Sequence, residues 1–228
     1  MRMKNLSEKV YDQIKDMILR LEIKPGERIP EERITEIANC SRTPVREALR
    51  RLNEEGIVTS YPGRYSEVAQ YDENSVKRIA ELRLAQDILS CQLAIRNGSN
   101  SDFSVLEDLA EKCRINAEKG NVYERIYFDC MFHLEIAKIG GNQLLIENQE
   151  KLYMKVHIIQ ISRYTTIEDS IRQISTHEEI IDALYERNHS RIKVLTCQHL
   201  EDFYNIDKEI INMYINLKGK NPRGSLRI

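Results

Sequence analysis

The run Ser41-Arg42-Thr43-Pro44-Val45-Arg46-Glu47-Ala48-Leu49-Arg50-Arg51-Leu52 does most to limit how this chain can fold. Thr43 can cap a helix through its hydroxyl, and Pro44 suits a first helical position because its missing N–H would have no intrahelical partner there. The helix is therefore predicted to begin at Thr43. Val45, Ala48, Leu49 and Leu52 recur at i, i+3, i+4 and i+7, which makes one apolar stripe for a core, and Gly56 supplies a left-handed stop. The remaining face carries Arg46 and Arg50, with Arg42 just ahead and Arg51 on the flank, against Glu47 alone. A guanidinium donates two parallel hydrogen bonds to a phosphate or a guanine edge. Taken alone, such a face also suits a merely solvated basic helix.

The flanking sequence favours the first reading. Asn5 to about Arg20 reads as a helix with an Asn5-x-x-Glu8 capping pattern and Val10, Ile14, Met17 and Ile18 on one side. Lys24-Pro25-Gly26 breaks the chain, and a second short helix follows from about Pro30 to Asn39, with Glu31 and Glu32 where the helix dipole favours anions. After Gly56, two strand-like runs, Ile57 to Ser60 and Tyr65 to Ala69, flank a Tyr61-Pro62-Gly63-Arg64 turn and make a hairpin long enough to be a wing. The prediction is a winged helix-turn-helix over residues 1–70.

Lys24-Pro25-Gly26-Glu27, the run from Ser41 to Leu52, and Glu55-Gly56-Ile57-Val58 together resemble the DNA-binding domain of the GntR family of bacterial transcription regulators. The long S-R-T-P-V-R-E-A-L run is much rarer than a generic helix-turn-helix pattern. The resemblance implies that Arg42, Thr43 and Arg46 reach double-stranded operator DNA and that Gly63, at the wing tip, lies along the minor groove; Arg50 continues the same basic face. Glu32 departs from the pattern, standing where some relatives place an arginine, and Leu21-Glu22-Ile23 replaces a glycine-rich turn.

A DNA partner has to be reconciled with a net charge of −2. Residues 1–70 carry +1 and residues 71–228 carry −3, so affinity for DNA must come from where the cations sit, and a homodimer would double the local patch. With 228 residues, 41% hydrophobic and 31% charged, the chain has the composition of a globular protein of one large or two modest domains. No run of about 18 apolar residues is present, and Met1-Arg2-Met3-Lys4 leads directly into a capped helix, so the expectation is a cytoplasmic protein with no membrane partner. Cys40, Cys91, Cys113, Cys130 and Cys197 are scattered and lack CxxC spacing, so they read as small buried side chains and not as disulfides or thiolate ligands.

A polar stretch at residues 69–74 marks the domain boundary. Beyond it the periodicity is helical throughout, with helices predicted at 74–97, 101–119, 121–139, 143–162, 167–187 and 190–218 and a tail at 219–228. The fold class is thus mainly α, a winged helix-turn-helix followed by an antiparallel all-helical bundle of about six helices over residues 74–218. Ile126, Asp129, His133 and Ile136 share one helical face; Ile174, His177, Ile181 and Leu184 share another; Ile192, Leu195, His199, Phe203, Ile206, Ile210 and Met213 form a third seam. A single histidine in such a stripe is usually a satisfied core residue. Three histidines with a carboxylate would leave several costly unpaired groups, each about 1–3 kcal/mol, unless a shared cation served them all. His177 and His199 are 22 positions apart, about 33 Å on one straight helix, so the chain must turn near Asn188 for them to meet. His157 and His189 lack this context and read as surface residues.

Phe128 to Leu134, Gly141 to Leu145, His177 to Ile180, and His199-Leu200 resemble the effector domain of the FadR branch of GntR regulators, the FCD type, and in particular members in which one Asp and three His hold a divalent metal. The resemblance implies Asp129, His133, His177 and His199 as ligands. Imidazole ligands favour zinc or nickel, with manganese, cobalt or iron also compatible. Such a ligand set leaves two octahedral positions for a small carboxylate metabolite. Glu81-Leu82-Arg83-Leu84 resembles the branch's first effector-domain helix, which makes Arg83 either a counter-charge to that carboxylate or a member of a surface or interhelix salt bridge. The implied protein is a dimeric transcription regulator, a repressor, and not an enzyme. The alternatives are a metalloenzyme built on the bundle, or a DNA-binding protein whose metal is purely structural.

Overall fold

The computed structural model describes residues 5–163 and 166–215; the predicted tail at 219–228 lies outside them. Three helices and a hairpin come first: α1 (Leu6–Leu19), α2 (Glu31–Ile37), α3 (Arg42–Glu54), β1 (Val58–Tyr61) and β2 (Tyr65–Val68). Asn5 caps α1 by accepting from the Glu8 amide at 2.8 Å while the Glu8 carboxylate accepts from the Asn5 amide at 2.9 Å. This satisfies two amides that an α-helix start leaves without partners. The helix at Arg42 starts one residue earlier than predicted, with extended Ser41 at its N-cap, so Thr43 is not the cap. Pro44 is still tolerated because its absent N–H belongs to the unpaired first turn in either register. The hairpin pairs Val58 with Val68 and Tyr61 with Tyr65, and the tip needs Gly63, whose φ of +70° an L side chain rarely adopts.

The rest is helical: α4 (Glu73–Asn97), α5 (Asn100–Glu118), α6 (Val122–Gly140), α7 (Gln143–Arg163), α8 (Ile167–Ile174), α9 (Thr176–Tyr185), α10 (His189–Tyr204) and α11 (Lys208–Ile215). Among the described residues the six predicted helices are eight because two are split. Between α8 and α9, the Ser175 hydroxyl donates to the Arg172 carbonyl at 2.7 Å, competing with the helical ladder. After α10, Asn205 takes the left-handed conformation at φ +50°, a normal helix stop, and the Asp207 side chain starts α11 by accepting from the Glu209 amide. Helix α6 lies among α4, α5 and α7, and its buried Phe132 and Ile136 join Phe103, Leu106, Ile181, Leu184 and Ile192 in one apolar core. Met213, predicted in the last seam, is 67% exposed because α11 is a separate helix.

His157 is not a surface residue: it is 2% exposed, and its Nε2–H donates to the Leu19 carbonyl at 3.1 Å. Burial pulls its pKa down from 6.5 to about 4, only partly offset by that bond. The unfolded chain therefore takes up a proton near pH 6.5 that the folded chain refuses until about pH 4. Stability is expected to fall by about 3 kcal/mol as pH drops through this window and to level off below it. Urea denaturation midpoints of the wild type and His157→Gln, compared from pH 7 to 4, test this: the variant should show the shallower loss.

Candidate functional site

Three helices bring four candidate ligands together. Helix α6 presents Asp129 and His133 one turn apart, α9 presents His177 and α10 presents His199, all buried, and one ligand atom from each lies within 4.8 Å of the others. His177 Nε2 is 3.2 Å from Asp129 Oδ1, and His133 Nε2 is 3.0 Å from His199 Nε2. Asp129 Oδ1 and both His177 ring nitrogens have no hydrogen-bond partner of good geometry among the described residues. Burying such atoms unpaired is costly, and the set consists of the imidazole and carboxylate donors that suit a first-row divalent cation.

The electrostatics agree with that chemistry. Burial opposes charge on Asp129, but the adjacent His177, with His133 and the Arg83 guanidinium, outweighs it and holds the carboxyl well below the usual carboxylate range. Burial and Arg83 hold His133 well below the ordinary imidazole value, although Asp129 pulls the other way. Asp129 is thus ionised and His133 neutral near pH 7, the protonation states that metal binding requires.

A second layer orients these groups. Gln160 donates through Nε2 to Asp129 Oδ2 at 2.7 Å and accepts from Arg125 Nη1 at 3.0 Å through Oε1, leaving Asp129 Oδ1 turned to the imidazoles. Thr176 Oγ1 lies 2.7 Å from His199 Nδ1, and in the tautomer in which Nδ1–H donates to that hydroxyl the Nε2 lone pair faces His133. Asp87 Oδ2 is 3.8 Å from His133 Nδ1, and Asp87 accepts hydrogen bonds from the Tyr153 hydroxyl and Gln149 Nε2, each at 2.8 Å to its Oδ1. Sequence reading missed this layer. Gln149, Tyr153 and Gln160 do share one face of α7, and polar side chains recurring at spacings of 4 and 7 were the available signal.

Arg83 is fully buried and pairs with Asp87 in its own helix at 3.2 Å. Its Nε also reaches the Tyr153 hydroxyl and its Nη1 the Tyr204 hydroxyl. The Nη2 group is left without a partner among the described residues. The surface or interhelix salt bridge expected from the sequence is not what forms: Arg83 is buried and pairs inside its own helix because Asp87 stands one turn on, and Nη2 remains without a partner among the described residues.

The basic face is exposed. Arg42, Thr43, Arg46 and Arg50 all face outward on α3, and Gly63 is exposed at the hairpin tip. Glutamates hold the arginines: Glu32 contacts Arg42 at 3.2 Å, Glu31 contacts Arg46 at 3.8 Å and Glu54 contacts Arg50 at 3.8 Å. These pairs are solvated and weak, so phosphates can replace them at little cost. Arg51, whose side chain is also exposed, pairs with Glu55 and covers the Tyr11 ring at 4.0 Å.

Residues 6–68 match the family model of the bacterial regulatory proteins of the gntR family, and residues 78–202 match that of the FCD domain. The chain belongs to the GntR family. This GntR-family protein is a DNA-binding transcription regulator with an FCD domain, and its relatives are regulators, not enzymes. It is 26% identical over 200 residues to the uncharacterized HTH-type transcriptional regulator YdhC of Bacillus subtilis, covering 87% of this chain and 88% of YdhC. It is also 26% identical over 200 residues to the HTH-type transcriptional repressor RspR of Escherichia coli, covering 86% of each. The solved structure of E. coli McbR/YncC shares the fold, with a TM-score of 0.78 at 22% identity over 92% of this chain and 99% of that one. No helix among the described residues is long and apolar enough to cross a membrane.

Proposed function

We propose that this regulator is a cytoplasmic, homodimeric repressor whose operator affinity is set by a small carboxylate bound at a divalent metal. Residues 1–70 form the DNA-binding domain and residues 74–218 the metal- and effector-binding domain, followed by a tail at 219–228. Asp129, His133, His177 and His199 hold the ion, with zinc or nickel the best match to an imidazole-rich set. The ion supplies a Lewis-acidic point to which a carboxylate can bind. Arg83 offers its open Nη2 to the same carboxylate, with Asp87 and Tyr153 fixing the guanidinium in place. Arg42, Thr43, Arg46 and Arg50 grip the operator, and Gly63 lets the wing tip approach the minor groove. Two copies place two such helices on the half-sites of a near-palindrome.

The observation that carries this reading is a set of buried atoms without a hydrogen-bond partner of good geometry among the described residues: Asp129 Oδ1 and both His177 ring nitrogens in the cage, and Arg83 Nη2 on a guanidinium whose partner Asp87 lies 3.8 Å from His133. A purely structural ion explains only the first. The test titrates a panel of mono- and dicarboxylates and 2-hydroxy acids into the zinc-loaded protein–operator complex. At least one acid is expected to change operator affinity by about 5- to 150-fold, and the effect should vanish with EDTA and return with zinc. Operator affinity indifferent to every acid in the metal-loaded protein points to the structural ion instead.

A further inference from the structure

Helix α7 touches the metal cage and the winged domain within two turns. On one face, Gln160 holds the Asp129 carboxylate, and Tyr153 and Gln149 hold Asp87. On another, Met154 and Ile158 are members of the winged domain's own core, packed with residues such as Ile14, Met17, Ile18 and Leu52. Between them, Lys155 lies against the end of the DNA-reading helix, so close that a Cβ on Gly56 would sit 3.3 Å from its Nζ.

His157 completes the joint, and hydrogen-bond accounting shows why it matters. The last four carbonyls of α1 have no partner within the helix. Asp16, Met17 and Ile18 accept from the amides of Arg20, Glu22, Ile23 and Leu21 in the turn that follows. The Leu19 carbonyl accepts from His157 of α7, 138 positions away. The end of α1 is therefore capped by the other domain.

We infer that α7 couples the two sites: filling the Asp129 cage fixes Gln160, and the helix carries that constraint through His157, Met154 and Ile158 to the end of α1. The span from Gln160 to Met154 is about 9 Å of continuous helix. Packed interiors shift between discrete arrangements and do not stretch, so a displacement at Gln160 reaches the joint as movement of the whole helix. Coupling of this kind is reciprocal: whatever the ion does to the winged domain, the winged domain does to ion affinity. The inference rests on the reading of the cage as a metal site.

Hydrogen exchange of the full chain with and without added zinc, read beside a calorimetric zinc titration, tests it. In the wild type, zinc should slow exchange over residues 14–23 by about fivefold or more, the low end of ordinary site-to-site coupling. In His157→Ala the zinc affinity should stay within about threefold, while the slowing over residues 14–23 is lost; His157→Gln, which retains an N–H donor, should restore it. Zinc that binds the wild type but alters exchange only within residues 78–202 overturns the inference and leaves the metal reading intact. So does slowing at residues 14–23 that survives in His157→Ala. Should that variant fail to fold, the wild-type comparison still decides. Failure of zinc to bind overturns the metal reading and the coupling together.

Discussion

Asp129→Asn is expected to lower zinc or nickel affinity by about 100-fold while leaving the metal-free chain close to its original stability. Four-ligand zinc sites gain about 10–16 kcal/mol in all, so one ligand accounts for about 3 kcal/mol. The asparagine keeps the shape of the side chain. Its oxygen can still accept from Gln160, and its amide can donate to His177 Nε2, which has no partner of good geometry in the wild type among the described residues. At a zinc concentration 1,000 times the wild-type Kd, metal stabilises the wild type by about 4.1 kcal/mol and the variant by about 1.4 kcal/mol. Thermal melts with and without zinc, together with elemental analysis, provide the readout. Gln160→Leu keeps all four ligands but removes the support of Asp129 together with the acceptor of Arg125 Nη1, and a milder loss of about 10-fold in metal affinity is expected. Equal metal content and equal melting shifts in wild type and Asp129→Asn would mean that the four residues are a buried polar cluster without an ion.

Arg46→Ala is expected to weaken operator binding by about 10- to 100-fold, and Glu32→Ala to strengthen it. Arg46 is 69% exposed on the outward face of α3, and its ion pair to Glu31, at 3.8 Å, is long and solvated. Losing a guanidinium that reaches a base or phosphate costs about 1–3 kcal/mol. Glu32 has the opposite effect: it is 83% exposed, holds Arg42 at 3.2 Å and would lie beside the phosphates. Anisotropy titrations on a duplex enriched from genomic fragments by the wild type give both values. Repeating them over a range of salt separates phosphate contacts, which lower the salt slope by about 1 when lost, from base contacts. Unchanged affinity in Arg46→Ala would remove α3 from the DNA interface.

Much of this was readable from residue order because it is local. The apolar spacing of Val45, Ala48, Leu49 and Leu52, the Asn5 and Glu8 capping pair, and the alternation around Gly63 each depend on neighbours a few positions apart. Asp129, His133, His177 and His199 were singled out because polar residues interrupted apolar stripes, and they do meet in one place. The splits at Ser175 and Asn205 were not apparent, since a hydroxyl bonding back to a carbonyl and an asparagine in the left-handed region leave the helical periodicity on either side intact.

What lies in the order of residues alone is thus the helical class, the winged start, the face that carries the arginines, and the four groups that converge. Tertiary structure decided their company: that Arg83 is neutralised by Asp87, that Gln160 aims Asp129, and that His157 is buried as the cap on α1. Those partners stand 4, 31 and 138 positions apart. Helical periodicity reports which way a side chain faces, but the longer contacts depend on which helices pack together, and that is settled only when the whole core closes.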